Sequence, residues 1–184
     1  YGTPSDSCGD YAWIQHMICS MSSGKGRMAV VMPQGILFRG NQEAEIRKQL
    51  VESDLIEAVV TLGDKLFYGT GLSPCFLIIR RMKPAHHSGR ILMIDGSKIL
   101  TQKRAQNILE ENDIDRLYSL YQNYSDEEDY SRIVTLQEIR DKEYNLSPNR
   151  YVVYHKEEIR PYVEVLAEFK HAYEAIGERI FITH

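Results

Sequence analysis

The chain is poor in cysteine, has no long apolar run and carries no excess of positive charge. Its three cysteines, Cys8, Cys19 and Cys75, are an odd number without CxxC spacing. That argues against a disulfide framework or a zinc site and fits a reducing cytosol. No apolar stretch approaches the roughly 20 residues needed to span a membrane. The net charge is -4. A protein that grips duplex DNA unaided usually presents a basic face, so any nucleic-acid role is local or shared with partners. The chain opens on Tyr1 rather than Met and reads as a piece of a longer protein. With 184 residues, 43% of them hydrophobic, there is enough for one domain with a real core.

The stretch that organises the rest is RMAVVMPQGILFRGNQEAEIR, from Arg27 to Arg47. Met28–Met32 has the length and β-branched content of a buried strand. Pro33 ends it, since proline cannot donate to a central ladder. Gly35 and Gly40 loosen the loop that follows. Asn41 is a candidate N-cap for a helix from about Gln42 to Ser53, with Glu43 and Glu45 at the positive end of its dipole. In an open α/β sheet, ligands bind at the carboxyl ends of strands. Pro33, Gln34, Gly35 and Phe38 are therefore candidate walls of a cleft.

Before that stretch, Asp10 is a plausible N-cap. Trp13, Ile14, Met17, Ile18 and Met21 follow helical spacing, and Gly24 is a natural stop. After it, Leu55–Leu62 reads as a second buried strand reached through a helix. The two strands should run parallel with a right-handed crossover. Cys75–Arg81 is a third strand, reached by a loop too short for a parallel crossover, which favours an antiparallel return. Arg90–Asp95 is a fourth strand, Ser97–Glu111 is polar and unassigned, and a helix runs from about Asn112 to Gln122. Ile133 and Val134 suggest a short strand. Thr135 and Glu138 make a capping box, and Asn145–Val153 reads as turn then strand.

The last segment differs. Ile159, Tyr162, Leu166, Phe169, Tyr173, Ile176 and Ile180 alternate spacings of three and four, a heptad seam with Pro161 in its first turn. Such a helix either folds back on its own domain or pairs with a helix of another chain or segment.

Taken in order, these residues resemble a known family. DYAWIQHM, GRMAVVMPQGILFRG, AEIRKQLVESDLIEAVVTL and LFYGTGLSPCFLII, followed by MIDGSK, SRIVTLQEI and EYNLSPNRYV, are similar to the methylation (M) subunit of type I restriction-modification systems. The ordered match spans roughly Tyr1 to Val153. The resemblance implies an N6-adenine DNA methyltransferase using S-adenosyl-L-methionine. The implied fold is α/β, the class I S-adenosylmethionine-dependent (Rossmann-like) methyltransferase sheet. This chain would supply its C-terminal half with the antiparallel final hairpin, plus a C-terminal helix. Met28–Met32, Leu55–Leu62 and Cys75–Arg81 then resemble strands five, six and seven. The family's glycine-rich cofactor loop and its Asn-Pro-Pro-Phe tetrapeptide lie N-terminal to the matched region. Neither stands in these 184 residues, so the cofactor site is expected mostly upstream and this piece alone is expected to be inactive.

A base methyltransferase takes its target out of the stack and holds it between aromatic or apolar surfaces. The resemblance puts the loop before strand seven beside that pocket, where Phe67 and Tyr68 are the aromatics. Either one stacks on the base, or it merely plugs the sheet end. Lys65, Arg80, Arg81 and Lys83 are candidates for phosphate contacts, and Gln34 or Arg39 for a substrate contact; the alternative for each is a solvated side chain. His86-His87 lacks partners at metal-ligand spacing. Many of the 12 tyrosines lie on amphipathic stripes and suit packing better than base stacking.

The organisation expected is residues 1–96 as the back of the catalytic domain, 97–153 as an irregular extension and 154–184 as the amphipathic helix. DNA, a specificity (S) subunit, a restriction (R) subunit and a second M subunit are the partners implied. The seam Ile159, Tyr162, Leu166, Phe169, Tyr173 and Ile176 is the implied subunit contact. Two other readings stay open: a solitary or fused adenine methyltransferase, and a non-catalytic module that kept the fold.

Overall fold

A computed structural model describes residues 1–155 together with Leu166, Phe169, Lys170 and Tyr173. The chain divides into two compact units, Tyr1–Tyr154 and His155–His184. In the first, the elements are α1 (Asp10–Ser20), β1 (Arg27–Pro33), α2 (Asn41–Glu52), β2 (Ile56–Leu62), β3 (Pro74–Arg80), β4 (Arg90–Gly96), α3 (Glu111–Asn123), β5 (Ser131–Thr135) and α4 (Leu136–Asp141). Short 3-10 turns follow β1 at Gln34–Leu37 and close the unit at Pro148–Arg150.

The five strands form one sheet in the order β1-β3-β2-β4-β5. β3 is antiparallel to both β1 and β2, in registers that set Val31 opposite Phe76 and Val60 opposite Phe76. β1 and β2 therefore run the same way, as expected, but they are not neighbours: the antiparallel return lies between them. β4 pairs parallel with β2, and β5 antiparallel with β4. β2 is buried along its whole length, the condition its near-continuous apolar run anticipates.

Alternation along the strands divides the apolar residues between two faces. One face packs Val59, Leu77, Ile79, Ile91 and Met93 under α1 and α2 through Tyr11, Ile14, Ile18, Ile46 and Leu50. The other packs Val60, Leu92 and Ile94 under α3 through Leu120. Truncating a fully buried residue such as Ile79 to Ala would cost about 2–5 kcal/mol.

Several local expectations are corrected. Gly9, not Asp10, is the N-cap of α1, because the Asp10 carboxylate is taken by Arg39 at 2.7 Å. The buried face of α1 is Tyr11, Ile14 and Ile18, and Trp13 falls off that stripe at 67% exposed. The helix stops at Ser20, before Gly24. Gly40 caps α2, and Asn41 is its first residue, in the left-handed region at φ 55. Asn145–Val153 contains no strand. Pro148 starts a 3-10 turn instead, and its carbonyl accepts from the Tyr151 and Val152 N–H groups at 2.9 and 3.0 Å. The Thr135–Glu138 capping box is present, with the Glu138 N–H donating to Thr135 Oγ1 at 3.2 Å.

In the second unit, Leu166, Phe169, Lys170 and Tyr173 are helical, with Phe169 and Tyr173 exposed. Ile159, Tyr162, Ile176 and Ile180 lie outside the described residues. Among the described residues no helix is long and apolar enough to cross a membrane.

Candidate functional site

The carboxyl ends of β1 and β2 and the start of β3 meet at Gln34. Its backbone N–H donates to Ser73 O at 3.3 Å, and its side-chain Nε2 donates to Leu62 O at 3.1 Å and Pro74 O at 3.3 Å. One amide thus ties three strand ends together. Above it, the loop between β2 and β3 leans over β1. Val31, Met32 and Pro33 on one side and Phe67, Thr70 and Leu72 on the other line an open cavity of about 260 Å³. Phe67 is 48% exposed and lines it, whereas Tyr68 is 93% exposed and does not.

The predicted wall residues separate by role. Pro33 lines the cavity, and Gln34 fastens the strands behind it. A Cβ at Gly35 would stand 2.5 Å from Arg39 Nε, so the glycine makes room for that guanidinium. Phe38 is exposed and lines no part of the cavity. Arg39 lies against the surface beside α1 and α2, its side chain 38% exposed. Its Nη1 lies 2.7 Å from Asp10 Oδ2, 3.1 Å from Cys8 Sγ and 3.5 Å from Glu43 Oε1. The ligand atoms of Cys8, Asp10 and Glu43 sit within 4.8 Å of one another, an arrangement able to hold a metal ion. Here the arginine occupies the cation's place.

Of the four basic candidates, three are spent at the opposite end of the sheet. Arg27 on β1 faces Arg80 on β3. Seven-residue strands put this end about 20 Å from the cleft. Arg80 Nη1 binds the buried carboxylate of Glu57 at 2.9 Å, and Arg81 Nη2 donates to Ile18 O at 2.7 Å. Lys83 has a side chain only 2% exposed and pairs with Asp54 at 2.6 Å. Burial pushes its pKa down, against the pull of that partner. Lys65 alone stands at the cleft end, exposed.

His87 is part of the same distal network. Its Nδ1 is 3.2 Å from Glu57 Oε1, and its ring stacks on Tyr124 at 3.4 Å and 11°. The Tyr121 hydroxyl donates to Glu57 Oε2 at 2.9 Å. Burial opposes the charge on Glu57, yet Arg80, Tyr121 and His87 together hold its pKa below the usual carboxylate value. This is a structural ion cluster rather than a metal site. Its sequence trace is small: one glutamate inside the apolar run LIEAVVTL.

Two further features escape sequence reasoning. Asp95, at the end of β4, accepts from the Tyr154 hydroxyl at 2.5 Å, Thr61 Oγ1 at 3.2 Å and the Ser97 N–H at 3.0 Å. It anchors the chain there. The polar stretch after it is an ordered loop. Asn107 is buried, its N–H donates to Lys65 O at 3.0 Å, and its Nδ2 donates to Asp64 O at 3.1 Å. Amide-to-backbone clasps between distant loops leave no periodic signal to read.

An antiparallel strand inserted between two strands of common direction, with an open wall at their carboxyl ends, defines the back of a class I methyltransferase sheet. The profile of the N-6 DNA methylase family matches residues 1–159, and the chain belongs to that family. It is 39% identical over 174 residues to the type I restriction enzyme MjaVII methylase subunit of Methanocaldococcus jannaschii, covering 92% of this chain and 30% of that protein. It is 31% identical over 160 residues to the HindI methylase subunit of Haemophilus influenzae, covering 83% and 35%. Among solved structures, a type I restriction-modification methyltransferase subunit from Streptococcus thermophilus superposes with a TM-score of 0.76 at 30% identity, covering 81% of this chain and 31% of that one. The chain thus spans about a third of the length of these relatives.

Proposed function

We propose that this chain forms the back of the catalytic domain of a type I restriction-modification M subunit, which transfers a methyl group from S-adenosyl-L-methionine to N6 of adenine in DNA. The observation that carries the reading is the Phe67 wall. A half-exposed aromatic faces an apolar strand end across a cleft of about 260 Å³, with room for one flat heterocycle. Phe67, rather than Tyr68, is the residue that stacks on the extruded adenine.

The methyl donor supplies an electrophilic methyl group. The wall described does not suit the donor itself, because its only polar side chains are the Thr70 and Ser73 hydroxyls. That leaves no carboxylate in the wall for a ribose and no anion beside a sulfonium. The role of these residues is to receive the base, keep water from one of its faces and hold its plane. Gln34 keeps the wall in place by joining the strands on which it stands.

Sequence choice is delegated in this reading to a specificity subunit, in keeping with the mildly acidic balance of the chain. Restriction and second M subunits complete the assembly, and the seam that includes Leu166, Phe169 and Tyr173 is the contact. The test is nucleoside analysis of DNA incubated with the full-length subunit, its specificity partner and the methyl donor. N6-methyladenine is the expected product. Unmodified DNA, or methylcytosine in its place, would refute the reading.

A further inference from the structure

The loop between β4 and α3 carries Lys98, Lys103 and Arg104 and not one acidic residue from Ser97 to Leu109. All three cations are exposed, as is Lys65 on the facing loop. In a chain of net charge -4 this is a local reversal of sign. Lys103 alone has an ionic partner, Glu110 at 3.2 Å, with both ends about half exposed. A solvated pair of that kind is weak and easily exchanged. Lys65, Lys98 and Arg104 have no salt-bridge partner among the described residues.

The placement gives the charges meaning. The loop is clasped to the one that bears Phe67, through Gln106 Nε2 to Leu66 O at 3.0 Å and Asn107 N–H to Lys65 O at 3.0 Å. The packing beneath is tight: a Cβ at Gly63 would meet Ser97 O at 2.7 Å. The root is pinned by the Thr101–Ile108 bridge, whose N–H groups donate to each other's carbonyls at 2.9 and 3.1 Å. Residues 102–105 are therefore an exposed basic tip on an ordered base, joined directly to the aromatic loop. The arginines and lysine at the other end of the sheet are consumed by Glu57, Asp54 and a backbone carbonyl.

We infer that Lys98, Lys103 and Arg104, with Lys65, grip DNA backbone phosphates flanking the extruded base and so set the register in which that base reaches Phe67. The inference rests on the methyltransferase reading above. Phosphate contacts of this kind position a duplex without reading its sequence.

The experiment is anisotropy of a random-sequence 30-base-pair duplex with the full-length subunit, titrated across salt concentration. The variants are the triple substitution Lys98→Gln, Lys103→Gln, Arg104→Gln and, as control, Lys25→Gln, an exposed lysine just before β1. Each lost phosphate contact lowers the slope of log affinity against log salt by roughly 0.9. The triple variant is expected to lose about 2 to 3 in slope, and the control nothing. With target DNA, KM should rise at least tenfold and kcat should fall as well, because the base is no longer held in register. A slope unchanged in a variant with wild-type melting behaviour overturns the inference and leaves the methyltransferase reading intact. So does an unchanged slope accompanied by loss of the specificity subunit, which would mark a protein contact. A wild-type subunit that, with its specificity partner present, neither binds duplex nor methylates it removes both. Gln106→Ala, which removes the side-chain bond to Leu66 O but keeps the charges, should lower kcat and leave the salt slope near wild type. A wild-type kcat in that variant would overturn the register role.

Discussion

The side-chain amide of Gln34 donates to the Leu62 carbonyl at 3.1 Å, joining the turn after β1 to the last residue of β2 although β3 lies between those strands. The second N–H of the same amide reaches Pro74 O at 3.3 Å. Proline at both strand ends, Pro33 opposite Pro74, leaves few backbone donors there. The glutamine supplies them.

Gln34→Leu should therefore destabilise the domain by about 1–3 kcal/mol, the cost of stranding carbonyls in a half-buried site. Urea denaturation of the full-length subunit measures this. Gln34→Glu should be at least as damaging, because a carboxylate cannot donate. A variant as stable as wild type would show that water replaces the amide.

The distal network predicts an acid-sensitive stability. His87 has a lowered pKa, chiefly from burial, so the folded protein takes up this proton at lower pH than the unfolded chain does. The unfolded chain binds its proton from about pH 6.5 downward, and stability falls as the pH drops through that window. Glu57 also has a lowered pKa. Its contribution is present above the unfolded carboxylate value near 4.5 and is lost at lower pH. His87→Phe, which keeps the stack on Tyr124, should flatten the decline between pH 7 and 5 and leave the lower step in place. Melting temperatures across pH would reveal an unchanged decline if another group were responsible.

Much of the sheet is legible from local pattern. LIEAVVTL and CFLIIRR announce buried strands, and the short glycine-bearing loop between them announces the antiparallel return. The insertion of β3 between β1 and β2 is a matter of long-range pairing that no local period records. Asn145–Val153 misleads because Tyr151 and Val152 look like a strand, while burial comes instead from the turn that Pro148 starts. At the site, the aromatic pair is visible in sequence, but the choice of Phe67 needs the cavity. The fate of Arg80, Arg81 and Lys83 depends on partners such as Glu57, 23 residues from Arg80, and so is invisible to composition.

The exposed Phe169 and Tyr173 predict an assembly phenotype separate from folding. Phe169→Asp with Tyr173→Asp in the full-length subunit should weaken association with the specificity or second M subunit at least tenfold and leave the melting temperature within about 2 °C. Sedimentation of the mixed subunits gives the answer. An unchanged complex would assign that helix to packing within its own chain.

The central claim is that Phe67 is the wall against which an extruded adenine rests. Single-turnover methyl transfer by the full-length complex, comparing Phe67→Ala with Tyr68→Ala, tests it most directly. Base–aromatic stacking is worth about 1–3 kcal/mol, so the Phe67 variant should lose roughly tenfold to a hundredfold in rate, with Phe67→Trp restoring most of it. The exposed Tyr68 variant should stay within about twofold. Equal rates for wild type and Phe67→Ala, or a loss confined to Tyr68→Ala, would contradict the account.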